Sequence, residues 1–366
     1  MKVMTVFGTR PEAIKMCPVI HQLKRQQNIE CSVCLTGQHE EMINQVMKNF
    51  QIEPDYNLHV MTPEQTLASV SSVIMEKLTD VYKKEKPDIV LVHGDTTSSY
   101  IAALCAFYLH IPVGHVEAGL RTYNMQSPFP EEFNRRSIDL IADIYFAPTQ
   151  SAKDNLLAEN AEEGKIFITG NTAIDALQMT IKKDYSNADI EWASDSRMIL
   201  MTAHRRENIG EPMTGMFNAV RRIVEDNKDV KVIYPVHKNP KVREIADSIL
   251  GNCSRVRLIE PLDVIHFHNF MKHSYLILTD SGGIQEEAPS LGIPVLVMRD
   301  ATERPEGVEA GTLKIVGTKE KSIKNAVQKL LDDKSEYDKM SNAVNPYGDG
   351  HASERIVRIL TERFGD

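Results

Sequence analysis

The chain has 366 residues, enough for two cores, and carries 42 Lys and Arg against 51 Asp and Glu for a net charge of -9. That balance argues against a nucleic-acid backbone as partner and leaves any polyanion contact to local basic residues. The start MKVMTVFGTR is too short an apolar run for a signal peptide, and no later stretch approaches the roughly 20 apolar residues of a membrane span, so a cytoplasmic protein without a membrane partner is expected.

Short β-branched runs alternate with segments of helical period, the pattern of βαβ units and parallel sheets. The first series is KVMTVF, CSVCLT, DIVLVHG, PVGHVEA, IYFAPT and KIFITG; the second is MILMTAH, VKVIYPVH, VRLIE, YLILTDSG, PVLVMR and LKIVG. The two series predict two doubly wound, Rossmann-like α/β domains, residues 1–170 and 171–347. A terminal helical segment, 348–366, is free to pack back on the first domain.

The first run breaks off at one glycine, in GTRPEAIKM, without the other glycines of a dinucleotide fingerprint. Gly8 makes the turn and Pro11 suits the first helical turn. Glu12 is favoured by the helix dipole and disfavours a phosphate on the same amides. Arg10 is then the local anion contact. Cys31 and Cys34 are spaced as C-x-x-C, but they lie in a strand, where positions three apart face opposite ways; with no second pair to complete a zinc site, they read as structural thiols. The HFH at 266–268 lacks a third ligand at suitable spacing and reads the same way. No metal and no cofactor is expected.

The carboxyl ends of the strands collect the unusual residues, and in open parallel sheets that edge is where ligands bind. Two such edges facing each other would form an interdomain cleft. In the first domain Asp95 (HGDTTS) and Glu117 (HVEAGLRT) end apolar strands, where partial desolvation suits an acid or base. Asp95 reads equally as the N-cap of the helix that follows. Glu131, beside Glu132 in PFPEEFNRR, lies on a loop where a surface carboxylate is the default.

In the second domain TDSGGIQEEAPSLG turns from strand to helix at Ser281, Gly282 and Gly283. This forms a candidate phosphate cradle without the lysine of a P-loop, or else a plain Ser cap with turn glycines. Glu287, a turn further on, suits a ribose diol. MTAHRREN puts His204, Arg205 and Arg206 in one turn, either for an anion or as a solvated basic helix start. Arg304 in ATERPEG lies on the same edge.

The segments FGTRPEAIKM, VHGDTTSSYIAAL, PVGHVEAGLRT, PEEFNRR, ITGNTAIDAL, MTAHRREN, LTDSGGIQEEAPSLGIPVLVMRDATERPEG and NPYGDGHASERI together resemble the bacterial non-hydrolysing UDP-N-acetylglucosamine 2-epimerases, over nearly the whole chain and in order. The resemblance implies the two-domain GT-B fold of nucleotide-sugar glycosyltransferases, usually as a homodimer. It also implies interconversion of UDP-GlcNAc and UDP-ManNAc through a 2-acetamidoglucal. By position it implies Arg10, Lys15, His204, Ser281, Gly282, Gly283 and Arg304 as diphosphate and nucleotide contacts, Glu287 on the ribose and Phe267 near the uracil. Asp95, Glu117 and Glu131 are then the acid and base candidates, with His204 beside them. A glycosyltransferase or a hydrolysing 2-epimerase on the same fold is the alternative.

The chain departs from the family at Gln38-His39-Glu40, where many members read QHR, and at Glu64, near which some carry an arginine. The neighbourhood of Gln38, Glu41, Glu64, Arg205 and His237 is where several members hold a second, activating UDP-GlcNAc. Acidic residues there would repel a diphosphate.

Overall fold

The computed structural model describes residues 1–38, 40–62, 64–302 and 304–365. The chain divides into two compact units, Met1–Met179 with Tyr347–Asp366, and Thr180–Pro346. The first runs β1 (Lys2–Phe7), α1 (Arg10–Lys24), β2 (Glu30–Leu35), α2 (Glu40–Asn49), β3 (Tyr56–Asn57), α3 (Leu67–Glu85), β4 (Ile89–His93), α4 (Thr97–Tyr108), β5 (Val113–Val116), α5 (Glu131–Ile141), β6 (Ile144–Ala147), α6 (Gln150–Ala158), β7 (Ile166–Ile168) and α7 (Thr172–Thr180). The second runs α8 (Ala188–Ala193), β8 (Arg197–Thr202), α9 (Glu211–Asp226), β9 (Val230–Pro235), α10 (Pro240–Leu250), β10 (Val256–Ile259), α11 (Val264–Lys272), β11 (Leu276–Thr279), α12 (Gly282–Glu287), β12 (Val295–Val297), α13 (Pro305–Glu309), β13 (Leu313–Ile315), α14 (Glu320–Asp332) and α15 (Lys334–Ser341). The last helix, α16 (Ala352–Phe364), belongs to the first unit.

Both sheets are parallel and share one winding. The order is β3-β2-β1-β4-β5-β6-β7 in the first unit and β10-β9-β8-β11-β12-β13 in the second. Strands buried on both faces, such as β4 with IVLVH, are continuous apolar runs because helices cover each side of the sheet. Met4, Val6, Val90 and Val92 pack with Ile74, Leu78, Ala102 and Ala106 in one unit, and Met201, Val232 and Leu278 pack with Phe217, Val220 and Val327 in the other. Each large apolar side chain so enclosed contributes about 1.5–3 kcal/mol.

In each unit the winding reverses beside the first strand, between β1 and β4 and between β8 and β11, and a crevice opens at such a reversal. The turns after those four strands carry Gly8–Glu12, Gly94–Thr96, Ala203–Asn208 and Asp280–Gly283. The topology therefore brings together most of the segments singled out from sequence within each unit.

Two features differ from the sequence reading. Strand β3 extends the first sheet beyond the six predicted strands; with only Tyr56 and Asn57 paired to Cys34 and Leu35, it is too short to show a period of two. The break falls after Met179 rather than 170, because Ala173, Ile174, Ala176 and Leu177 of α7 are buried in the first unit. The chain returns at Tyr347, whose carbonyl accepts from the Asn171 amide at 2.7 Å. Helix α16 packs on α1, and Asp175 accepts its first amides, Ala352 at 3.2 Å and Ser353 at 2.7 Å. Among the described residues no helix is long and apolar enough to cross a membrane.

Candidate functional site

Gly8 is required by space. A Cβ there would lie 2.1 Å from Thr36 Oγ1 and 2.4 Å from Ser98 Oγ, where the end of β2 and the start of α4 converge. Beyond it, the buried Glu12 carboxylate accepts from the amides of Gly8 (3.0 Å) and Thr9 (2.7 Å) and from the hydroxyls of Thr96 and Ser99 (2.6 Å each). Burial raises its titration and these donors oppose the rise. The amides at the head of α1 are thus taken by the chain's own carboxylate. Arg10, half-buried at the start of α1, forms no ion pair among the described residues.

Glu117 follows β5 with φ +66°, in the left-handed region where a residue with a side chain is strained by about 1–3 kcal/mol. Its Oε2 pairs with Lys15 Nζ from α1 and accepts from Asn171 Nδ2 at 3.0 Å. His93 Nε2 stands 3.7 Å from the same oxygen. The cap of α4 is Thr96, whose hydroxyl accepts from the Ser99 amide at 3.1 Å, so the N-cap alternative for Asp95 does not apply. Asp95 pairs with Arg135, and its carbonyl accepts from Asn134 Nδ2 at 2.9 Å. Glu131 is not on a loop. It opens α5, where the helix dipole favours a carboxylate, and its Oε2 is buried without a hydrogen-bond partner among the described residues. It stands four residues before Arg135, on the same face.

Helix α5 also holds the loop after β5. Buried Glu132 accepts from the amides of Thr122 and Tyr123 at 3.0 Å each. Asp139 accepts from His115 Nδ1 (2.6 Å), Arg121 Nη1 (2.7 Å) and the Gly119 amide (3.2 Å). Burial works against its charge, but His115 and Arg121 prevail and hold the carboxyl below its ordinary value. His115 Nε2 meets the Gly94 carbonyl at 2.7 Å, directly before Asp95. Sequence reasoning missed Asn134, Arg135, His115 and Asp139; the only signal was their presence in HVEAGLRT and EEFNRRSID.

In the second unit, buried Asp280 accepts from the amides of His204 and Arg205 at 2.9 Å each and from Asn208 Nδ2 at 3.2 Å. Arg205 is committed to this turn, donating to the Asp280 carbonyl at 2.9 Å and to Glu207 at 3.2 Å. His204 and Arg206 are exposed, and the His204 ring lies 5.9 Å from that of His237, whose titration burial and His204 push down. Ser281 occupies the cap position of α12 without a side-chain cap bond. A Cβ on Gly283 would meet nothing within 4 Å, so the fold itself does not demand glycine there.

Glu287 lies 3.6 Å from His268 Nε2, and His268 Nδ1 is fixed by Thr180 Oγ1 at 2.6 Å. Arg304 pairs with buried Glu286. Phe267 sits half-buried on α11 next to His268. His266 instead meets Tyr185 Oη at 2.5 Å, and no cluster of metal ligands occurs among the described residues. All five cysteines are free, and burial pushes Cys31 and Cys34 up to about 12. Gln38 accepts from Ser98 at 3.0 Å, while Glu41 and Glu64 are exposed. His39 and the Glu40 side chain lie outside the described residues.

The family model described as UDP-N-acetylglucosamine 2-epimerase matches residues 21–361. The chain belongs to that family. It is 58% identical to the UDP-N-acetylglucosamine 2-epimerase of Bacillus subtilis, over 100% of this chain and 96% of that protein. The UDP-GlcNAc 2-epimerase of Neisseria meningitidis bound to UDP-GlcNAc superposes with a TM-score of 0.90 at 47% identity, covering 99% of this chain and 100% of the other. S. aureus MnaA solved with UDP gives 0.90 at 53% identity, over 99% and 96%. The protein is therefore an enzyme of the epimerase class, built on two doubly wound α/β units of GT-B type.

Burial pushes His93 of this epimerase down to about 3, so the ring is neutral in the fold and protonates near its ordinary value of 6.5 when unfolded. Between those values the unfolded chain binds more protons, and stability falls as pH drops from 6.5 towards 3, by at most about 1.4 kcal/mol per pH unit from this group. Urea melts at stepped pH should show a shallower acid loss in His93→Gln; equal slopes would contradict the assignment.

Proposed function

We propose that the enzyme interconverts UDP-GlcNAc and UDP-ManNAc in the cytoplasm, where free thiols fit a reducing compartment, and so supplies ManNAc units for cell-surface polysaccharide. Relatives solved with UDP-GlcNAc and with UDP support the substrate. The C2 hydrogen of the sugar has no neighbouring carbonyl to acidify it. The bond from C1 to UDP breaks with its electron pair leaving on UDP, a base takes the C2 proton, and the C1–C2 double bond of 2-acetamidoglucal forms. Return of a proton to the other face, with UDP back on C1, gives the epimer.

The observation that carries this reading is the set of carboxylates at the carboxyl edge of the first sheet. Asp95 and Glu131 are joined through α5, Glu117 is held by Lys15, and a Glu131 oxygen is buried and unpartnered. Such a set moves protons on and off a sugar carbon. Arg10, Lys15, His204, Ser281, Gly282, Gly283 and Arg304 stabilise the departing diphosphate, Glu287 takes the ribose hydroxyls and Phe267 lies by the uracil.

Incubation with UDP-GlcNAc in heavy water should place deuterium at C2 of a second nucleotide sugar with little free UDP. Asp95→Asn, Glu117→Gln and Glu131→Gln should each slow this by at least about 100-fold. Absence of exchange would contradict the mechanism, and stoichiometric UDP release would assign a hydrolysing or transferring enzyme instead.

Activation by UDP-GlcNAc is expected to be weak, because exposed Glu41 and Glu64 repel a diphosphate and Arg205 is already bonded to Asp280 and Glu207. The initial rate from UDP-ManNAc alone should equal that with UDP-GlcNAc added; strict dependence would count against this. The enzyme is proposed to be a homodimer through the outer faces of α4 and α5, where Tyr108 is 62%, Phe133 47% and Leu140 85% exposed. Light scattering should give about twice the 41.3 kDa chain mass, and Leu140→Lys should lower it; a wild-type monomer would refute the dimer.

A further inference from the structure

His93 is the last residue of β4, directly before Gly94 and Asp95, and only 3% of it is exposed. Neither ring nitrogen has a hydrogen-bond partner among the described residues. A buried polar ring left unsatisfied is costly, and a fold retains one rarely without use for it. Glu117 Oε2 lies 3.7 Å from Nε2, a fraction of an ångström beyond hydrogen-bond reach. That oxygen is already served by Lys15 and Asn171.

We propose that His93 is a positioning residue for Glu117: it takes over the carboxylate through Nε2 when Lys15 turns to the substrate diphosphate. The inference rests on the reading of Glu117 as acid or base and of Lys15 as a diphosphate contact. Before substrate binds, the ammonium of Lys15 stabilises the anionic carboxylate and makes it a weak base. Departure of Lys15 raises its basicity at the moment a C2 proton has to be taken, and leaves the oxygen one donor short, with Asn171 still on it. His93 holds it without restoring a positive charge, since burial keeps the ring uncharged.

The charged and polar groups facing this pair include Lys15 from α1, Asn171 after β7 and, beyond His93, His115 of β5. His115 is fixed between Asp139 and the Gly94 carbonyl, so it does not compete for Glu117.

The test uses the full-length enzyme with His93→Gln, His93→Asn and His93→Leu, measuring kcat and KM for UDP-GlcNAc, deuterium entry at C2, UDP binding by calorimetry and the melting temperature. A glutamine amide reaches the place of Nε2, whereas an asparagine amide reaches that of Nδ1. The expected result is that Leu and Asn lower kcat and exchange together by about 10- to 100-fold, the scale of one lost hydrogen bond to a charged group, with KM and UDP binding unchanged. Gln restores most of the rate.

Wild-type rates in Leu and Asn, or a Gln variant as slow as the other two, would overturn the proposal. If Leu fails to fold, the comparison of Gln with Asn decides alone. Glu117→Gln, run in parallel, separates the two levels: exchange surviving in Glu117→Gln refutes the reading of Glu117 itself. Exchange lost there but intact in His93→Leu refutes only the role of His93.

Discussion

At the head of α1 the amides of Gly8 and Thr9 are donated to Glu12, and the hydroxyls of Thr96 and Ser99 meet its second oxygen. A helix start that follows a first strand at a winding reversal is a ready anion site, and here the chain fills it internally. The second unit repeats the winding, and at the turn after β8, the counterpart of that after β1, buried Asp280 likewise takes the amides of His204 and Arg205; the turn after β11 differs. Ser281 does not cap α12, and Gly283 borders open space. The turns after β1 and β8 are thus closed by the chain's own carboxylates, and the turn after β11 is left open. On this account the nucleotide is held chiefly by the second unit, and the carboxylates of the first are left to work on the sugar.

The sealed turn also organises the chemistry around it. Glu12 ties the turn after β1 to the start of α4, which fixes the position of Asp95 between Gly94 and the Thr96 cap. Helix α5 then locks the remaining loops from the other side, with Glu132 on Thr122 and Tyr123, Asn134 and Arg135 on Asp95, and Asp139 on Gly119, Arg121 and His115. Removing one partner from such a buried ionic set costs about 3–5 kcal/mol, so these contacts hold geometry that loops alone would not. Glu131, at the start of the same helix, inherits that rigidity.

The two sheets were legible because buried parallel strands are written as apolar runs, and the ligand edge was legible because glycine, arginine and carboxylates cluster where those runs stop. What stayed hidden has physical reasons. Strand β3 pairs through only two residues, and α7 carries no mark of which core its apolar face will join. The α5 network escaped because PFPEEFNRR reads as a loop with surface carboxylates, and nothing in the sequence marks Arg135 and Asp139 as partners until the fold buries Glu132 and Asp139. Asp95 could be weighed as a cap only until Thr96 was seen to do that work. Arg205, which reads as a free cation in HRREN, is spent on the Asp280 carbonyl and Glu207.

The central claim, that the open turn of the second unit holds the nucleotide while the carboxylate edge of the first does not, is tested most directly by titrating UDP calorimetrically into full-length Gly283→Val and Glu117→Gln. A Cβ at position 283 would meet nothing within 4 Å outside its own helix among the described residues, so the valine variant should keep the wild-type melting temperature while losing UDP affinity by at least about 10-fold. Glu117→Gln should bind UDP as the wild type does. Wild-type UDP affinity in Gly283→Val, or its loss in a folded Glu117→Gln, would contradict this division of labour.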